Sequence, residues 1–362
     1  MALLCVGVAA CAGPDRGAAY VAAYAAGEAA VDSGRFADGA ARFDEAARTA
    51  KIPRDADHAR YLAARALESA GDFAGAAPRL RAIEDASPSL EDAASASLAL
   101  DEMKIARGDD AGWADLVTTA KRFPSSGIAR PALRRAIAHQ DDIAGPSATL
   151  AALGVLARDL DRTDLAETVA YEIALHLVAL GEDVRARDAF VALASRWPYP
   201  RGAFWDDALY RASVLDEKLG RPNDAISDLT AMLAQREHAS FLGTYERPRY
   251  EPAIVRLCAL YRDLLHDRGR ARACFDRIYT DFTTSELRDD ALWEEARLFR
   301  EDGDGASSCV RLALLVRDFP DSRYVPCSVA QCPGVSRPPK SAAPAQCRPY
   351  VAALRLGARA GE

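Results

Sequence analysis

The chain has 362 residues, half of them hydrophobic, and 46 Lys and Arg against 53 Asp and Glu give a formal net charge of −7. That balance argues against the clustered basic face on which nucleic-acid binding depends, and no run of about eighteen apolar residues marks a membrane-spanning helix. Aromatics make up only 7% and alanine is abundant, as suits closely packed helices.

At the N-terminus, residues 2–10 form the apolar stretch Ala-Leu-Leu-Cys-Val-Gly-Val-Ala-Ala, which ends at Cys11 and turns polar at Gly13-Pro14-Asp15-Arg16. Val8-Ala9-Ala10-Cys11 resembles a bacterial lipobox, in which small residues admit the signal peptidase and the cysteine thiol takes the diacylglycerol. The resemblance implies a signal over residues 1–11, a tether over 12–17, and acyl chains on Cys11 that hold the protein to a membrane surface without a spanning helix. The segment is short and has no basic n-region; a misassigned start, with the basic residues upstream, would account for both. The other reading is an apolar, disordered N-terminus on a cytosolic protein.

From residue 18 onward a glycine recurs. Gly34, Gly71, Gly108 and Gly145 stand 37 residues apart, and Gly181, Gly220, Gly269 and Gly303 continue the series. Seven residues before it the side chain is small at Gly27, Ala64, Ala138, Ala174, Ser213 and Ala296. Five residues after it the same holds at Gly39, Ala76, Ala186, Ala225, Cys274 and Ser308, and nine after it a large apolar residue stands at Phe43, Leu80, Val117, Phe190, Leu229, Ile278 and Leu312. The pattern predicts helical hairpins that turn at the glycine, whose freedom at positive φ ends the first helix. Small residues on both sides let the helices approach, and the large one fills the contact. Pro88, Pro124, Pro198 and Pro320 stop second helices. The third and fourth units are the least regular, at Trp113, Leu150 and Gly154.

This arrangement resembles the tetratricopeptide repeat over roughly residues 18–322, although that family's period is about 34; HEAT-type repeats are the structural alternative. The resemblance implies an all-α, right-handed helical-hairpin solenoid of about eight units, with repeats over 18–235 and 251–322, each touching mainly its neighbours. It also implies a groove lined by first helices. Ten residues before the glycine an aromatic recurs at Tyr24, Tyr61, Tyr171, Tyr210 and Trp293, the position that faces such a groove; a partner protein or peptide segment is expected there. The other reading has these rings packed against the next repeat. Mixed charges at Glu28, Arg65, Glu68, Glu102, Glu217 and Arg297 depart from the basic clamp with which some members hold a peptide carboxylate.

Two phrases repeat almost unchanged: Asp206-Asp207-Ala208-Leu209-Tyr210 with Asp289-Asp290-Ala291-Leu292-Trp293, and Arg122-Phe123-Pro124-Ser125-Ser126 with Asp318-Phe319-Pro320-Asp321-Ser322. They are similar to phrases of bacterial envelope tetratricopeptide proteins, notably the lipoprotein subunit of the outer-membrane β-barrel assembly machine. What this implies is a periplasm-facing scaffold on the outer membrane, with another envelope protein as partner.

Residues 236–250 interrupt the repeat and read either as a contact loop or as a tolerated connector. Residues 323–362 form a tail rich in proline, serine and cysteine with a short helical end, Tyr350–Leu356, expected to cap the last repeat. Cys258, Cys274, Cys309, Cys327, Cys332 and Cys347 remain once Cys5 and Cys11 are set aside. An even number in the C-terminal third suits an oxidising compartment and up to three disulfides. Cys327 and Cys332 are close enough for a local loop, Cys347 is placed to staple the tail, and Cys258, Cys274 and Cys309 read equally as small buried hydrophobes.

No catalytic constellation is present. His58, His139, His176, His238 and His266 are scattered, no pattern calls for a metal or cofactor, and no GxSxG elbow or phosphate loop occurs. Asp302-Gly303-Asp304-Gly305 reads as a repeat turn, since Ala306 stands where a calcium loop needs its next ligand. The expectation is a non-catalytic, lipid-anchored repeat scaffold in the cell envelope. The alternatives are a soluble cytosolic adaptor of the same fold and a helical-repeat envelope enzyme.

Overall fold

A computed structural model describes residues 15–87, 89–235 and 249–336. Cys11 and its lipobox, Pro88, residues 236–248 with His238, Cys347 and Tyr350–Leu356 lie outside the described residues. The chain forms two compact units, Met1–Val169 and Ala170–Glu362. Both are all-α: among the described residues there is no strand, and within each unit helix packs on helix in chain order.

In the first unit the hairpins are α1 (Ala18–Asp32) with α2 (Phe36–Thr49), α3 (Pro53–Ser69) with α4 (Phe73–Ala86), and α5 (Leu90–Ala106) with α6 (Ala111–Arg122). Then comes α7 (Ala129–Asp159), two helical segments that meet at Gly145, with φ 78° and ψ 165°. The boundary between units falls inside α8 (Ala166–Ala179). The second unit continues with α9 (Asp183–Arg196), α10 (Trp205–Lys218), α11 (Pro222–Leu233), α12 (Tyr250–Ala259), α13 (Arg268–Asp281), α14 (Arg288–Glu301), α15 (Gly305–Asp318) and α16 (Val325–Gln331).

The turns explain the period. Gly34, Gly71, Gly108, Gly145, Gly181, Gly220 and Gly303 all have positive φ. At Gly71 its N–H bonds to the Glu68 carbonyl at 2.9 Å and the Asp72 N–H to the Leu67 carbonyl at 2.8 Å. This pair of bonds satisfies the last carbonyls of a helix whose C′ residue is left-handed. The same pair recurs at Gly34, Gly108, Gly181, Gly220 and Gly303. The residue after the glycine then starts the second helix: Asp72 Oδ1 accepts from Gly75 N–H at 2.8 Å and Asp304 Oδ1 from Ser307 N–H at 2.9 Å. Asp302-Gly303-Asp304 is thus one of these turns.

Gly269 departs from the expectation. It lies in the first turn of α13, and the positive φ, 51°, falls on His266, which is 37 residues before Gly303. The helix before it ends in a π-helical turn, Leu260–Leu264, so the Asp267 N–H reaches back six residues to Tyr261 O instead of five. Counted from His266, the small and large positions of this unit fall on Ala259, Ala271 and Phe275, all buried; Cys274 and Ile278 are buried as well.

The close approach is visible at the small residues. Ala64, Ala76, Ala174, Ala186, Ser213, Ala225, Ala296 and Ser308 are at most 1% exposed. A Cβ on Gly27 would stand 2.7 Å from the Phe43 ring, and one on Gly39 2.6 Å from Val31. In the irregular third unit Gly112 takes this part, since a Cβ there would meet Ile105 at 2.7 Å. In the fourth unit Ala138 is exposed, and the small-residue rule fails there.

Cysteine pairing differs from the local loop expected. Cys258 of α12 bonds to Cys274 of α13, and Cys309 of α15 bonds to Cys332 at the end of α16. Cys332 is therefore not joined to Cys327, which is itself disulfide-bonded and 1% exposed. Cys258, Cys274 and Cys309 are disulfide sulfurs and not merely small hydrophobes. At the tail, Tyr324, Val325, Cys327 and Cys332 pack over Leu312, Leu315 and Val316 and bury the last apolar face.

Left-handed backbone costs a residue with a Cβ about 1–2 kcal/mol, so His266→Gly is expected to stabilise the chain by about 1 kcal/mol, and Gly71→Ala, with open space around the new methyl, to destabilise it by a similar amount. Urea unfolding followed by circular dichroism checks both; an unmoved midpoint for both variants would contradict the assignment of these turns.

Candidate interaction face on the first helices

The five recurring aromatics sit on first helices, and the structure separates them by exposure. Tyr171 is 7% and Trp293 3% exposed; Tyr24, Tyr61 and Tyr210 are half-buried. Tyr171 stacks on Phe204 with centroids 4.3 Å apart, and Trp293 on Tyr324 at 4.8 Å. Each partner ring lies about one repeat later in the chain. The Tyr171 hydroxyl donates to Asp207, and burial, then this bond, pushes its pKa up to about 12. Tyr24 follows the same scheme with its hydroxyl 3.2 Å from His58 Nε2. Arg249 and Arg256 lie over the Tyr210 ring at 5.2 and 5.9 Å. Only Tyr24, Tyr61 and Tyr210 thus leave part of a ring to a partner.

The charged residues around them are largely spent on neighbouring hairpins. On the first helices Arg135 pairs with Glu102 and Arg256 with Glu217, and on the second helices Arg79 pairs with Asp44 and Arg311 with Asp276, all at separations close to one repeat. The repeated Asp-Asp-Ala-Leu phrase belongs to this system. Asp207 accepts from Tyr171, Arg211 and Arg249, and Asp290 accepts from Arg323 and Tyr324. Asp289 takes the Ser322 hydroxyl at 2.6 Å, and Glu91, at the matching place in α5, takes the Gly127 N–H at 3.0 Å. These acids lock a first helix to the loop that opens the next repeat. The repeated phrase therefore has a structural cause, and single-position reading missed it because the partners, Arg211 apart, lie 33 to 42 residues away.

One stretch of the face is open. Between α1 and α3 a hollow of about 450 Å³ is lined by Tyr24, Glu28 and Asp32 on one side and Leu62, Arg65 and Ser69 on the other, with Val31 and Phe43 at its base. Phe43 is 3% exposed and belongs to an apolar cluster with Ala40, Ala63 and Ala66, against which Tyr24, Val31 and Leu62 pack. Arg65 is already engaged: it donates to Glu68 at 2.6 Å and lies 3.7 Å from Glu102.

His139 stacks on Trp113 at 3.9 Å, His176 is 6% exposed with Nδ1 2.6 Å from the Glu172 carbonyl, and His266 makes a turn. Among the described residues no group of three His, Cys, Asp or Glu is placed to hold a metal. Burial raises Asp101 and Asp228 to about 6 and Glu295 to about 7. Glu295 is 2% exposed; its Oε1 meets Arg311 Nε at 2.9 Å, near Asp276 and Arg272, and its Oε2 has no hydrogen-bond partner. It lies among α13, α14 and α15 and acts on stability.

Because the folded chain holds a proton on Glu295 that the unfolded chain has already lost, stability is expected to fall as pH rises from about 4.5 to 7. Asp101 and Asp228 contribute in the same direction between about 4 and 6. Thermal midpoints at pH 5, 6, 7 and 8 should decline in the native chain and decline less in Glu295→Gln; parallel curves would show that Glu295 is not the group responsible.

No family model matches the chain, and no curated protein matches it. Solved structures that are similar in part include a bacterial repeat protein and two others. A tetratricopeptide repeat protein from Parabacteroides merdae is 12% identical, with a TM-score of 0.33, over 76% of this chain and 98% of that one. The TPR domain of P58(IPK) is 16% identical, TM-score 0.24, over 86% and 87%. A Naa15/Naa10 structure bound to HypK-THB is 15% identical, TM-score 0.29, over 86% of this chain and 55% of that one. At such scores no function passes from them to this chain.

Proposed function

We propose that the chain is a non-catalytic helical-repeat scaffold that presents the first-helix face to another envelope protein or peptide segment. The observation that carries this reading is the α1–α3 hollow: an apolar floor opens there on a face whose charges are elsewhere paired between hairpins. A pre-formed face of this kind needs little ordering on binding, so modest contact area gives useful affinity.

The proposed address is the bacterial outer membrane, periplasm-facing and held by acyl chains on Cys11. Two features support it. The Val8-Ala9-Ala10-Cys11 segment has the chemistry of a lipobox, and the Cys258–Cys274 and Cys309–Cys332 disulfides suit an oxidising compartment.

Intact mass of the chain expressed in a Gram-negative host, with and without reduction before alkylation, tests the address. The expected result is loss of residues 1–10, added acyl mass on Cys11, and no alkylation of Cys258, Cys274, Cys309 or Cys332 until a reductant is added. An unmodified N-terminus with freely alkylating thiols would place the same scaffold in the cytosol.

A further inference from the structure

Resting on that scaffold reading, the α1–α3 hollow carries information about what it receives. Glu28, Arg65 and Glu102 occupy the same place in three successive first helices, 37 residues apart. Opposite charges at one level of adjacent helices should pair along the stack, and most of them do. Glu102 takes both Arg65, at 3.7 Å, and Arg135, while Arg65 also holds Glu68 at 2.6 Å. The guanidinium that faces Glu28 across the hollow is thus committed on its far side. Glu28 and Asp32, one turn apart on α1 and both exposed, have no ion pair or hydrogen-bond partner among the described residues.

The hollow therefore combines two unmet demands. Its floor of Phe43, Val31 and Leu62 favours a large apolar side chain, which gains by leaving water. Its α1 rim offers two uncompensated carboxylates about 6 Å apart along the helix axis, one helical turn. A basic side chain would meet them as Arg135 meets Glu102. An acidic or carboxylate-ended peptide would meet the same rim with repulsion.

We propose that this hollow docks a partner-protein segment that sets one large apolar side chain on the Phe43 floor and a Lys or Arg, within one helical turn of it, against Glu28 and Asp32. The charge complementarity of the rim selects this occupant over an acidic segment, and it is the reverse of a basic clamp for carboxylates.

Random twelve-residue peptides displayed on phage, selected on the immobilised full chain, test it. The enriched peptides should join Leu, Phe, Met or Trp to Lys or Arg within about four residues. Made synthetically, they should bind the native chain at least roughly tenfold more tightly than the Glu28→Lys/Asp32→Lys chain. Ser69→Trp, which fills the hollow without changing charge, should weaken them as well. All three positions are exposed, and helical circular dichroism and the melting midpoint confirm that each variant is folded. Enrichment of acidic or uncharged peptides, or binding indifferent to both variants, would overturn the proposal. If such peptides are instead weakened by Tyr61→Ala or Tyr210→Ala, the scaffold reading survives and only the hollow is lost. Concentration-dependent self-association abolished by Glu28→Lys/Asp32→Lys would assign the hollow to a second copy and overturn it too. A selection that enriches nothing removes both readings.

Discussion

A helix can stop, satisfy its last carbonyls and hand over to an antiparallel helix within about three residues when one of them adopts a left-handed backbone. In this chain a glycine does so at six Schellman-type turns, and His266 takes the same role at a seventh. So short a turn brings the helices close together just beyond it, which is why Gly27, Ala64 and Ala174 on one side, and Gly39, Ala76 and Ala186 on the other, have no room for more. Fixing the turn also fixes the height of every other residue on the hairpin. The aromatic ten residues earlier and the carboxylates of the opening turn then meet the same kind of neighbour in repeat after repeat.

That regularity shows most clearly in the polar contacts. Partially exposed pairs such as Arg79–Asp44 and Arg311–Asp276 contribute little each, about 0–1 kcal/mol. Their effect is on register: a hairpin shifted by a residue would lose several at once. Arg262–Glu294 is different, with both side chains at most 5% exposed and 2.7 Å apart; each has a second partner, Asp263 for Arg262 and Arg297 for Glu294, so the buried charges form a small network. Where this pairing runs out, between α1 and α3, the face has unpaired carboxylates beside an apolar floor. The proposed docking site is thus an interruption of the same periodic scheme that holds the hairpins together.

Much of the fold was legible in the sequence because the requirements on Gly34, Gly71 and their successors are local: a positive φ and a missing or small side chain are written at the position itself. The seventh turn was missed because His266 carries a side chain and a π-helical turn inserts an extra residue. Asp267 was the available signal, since Asp72, Asp109 and Asp304 also follow their turn residue. The cysteine pairs were not legible, because Cys309 and Cys332 are joined through the packing of α16 on α15 and not through chain proximity. The aromatic positions were found, but their exposure was not. Whether Tyr171 and Trp293 face solvent or a ring depends on Phe204 and Tyr324, about one repeat away.

The most direct test of the first-helix face is site-specific photo-crosslinking in living cells, with the photoreactive residue placed at Glu28 or Ser69 beside the hollow, or at Asp38 or Arg42 on α2. A discrete crosslinked partner is expected from Glu28 and Ser69 and none from Asp38 and Arg42. Crosslinks of equal yield from all four sites, or from the α2 positions alone, would contradict the claim that partners are received on the first helices.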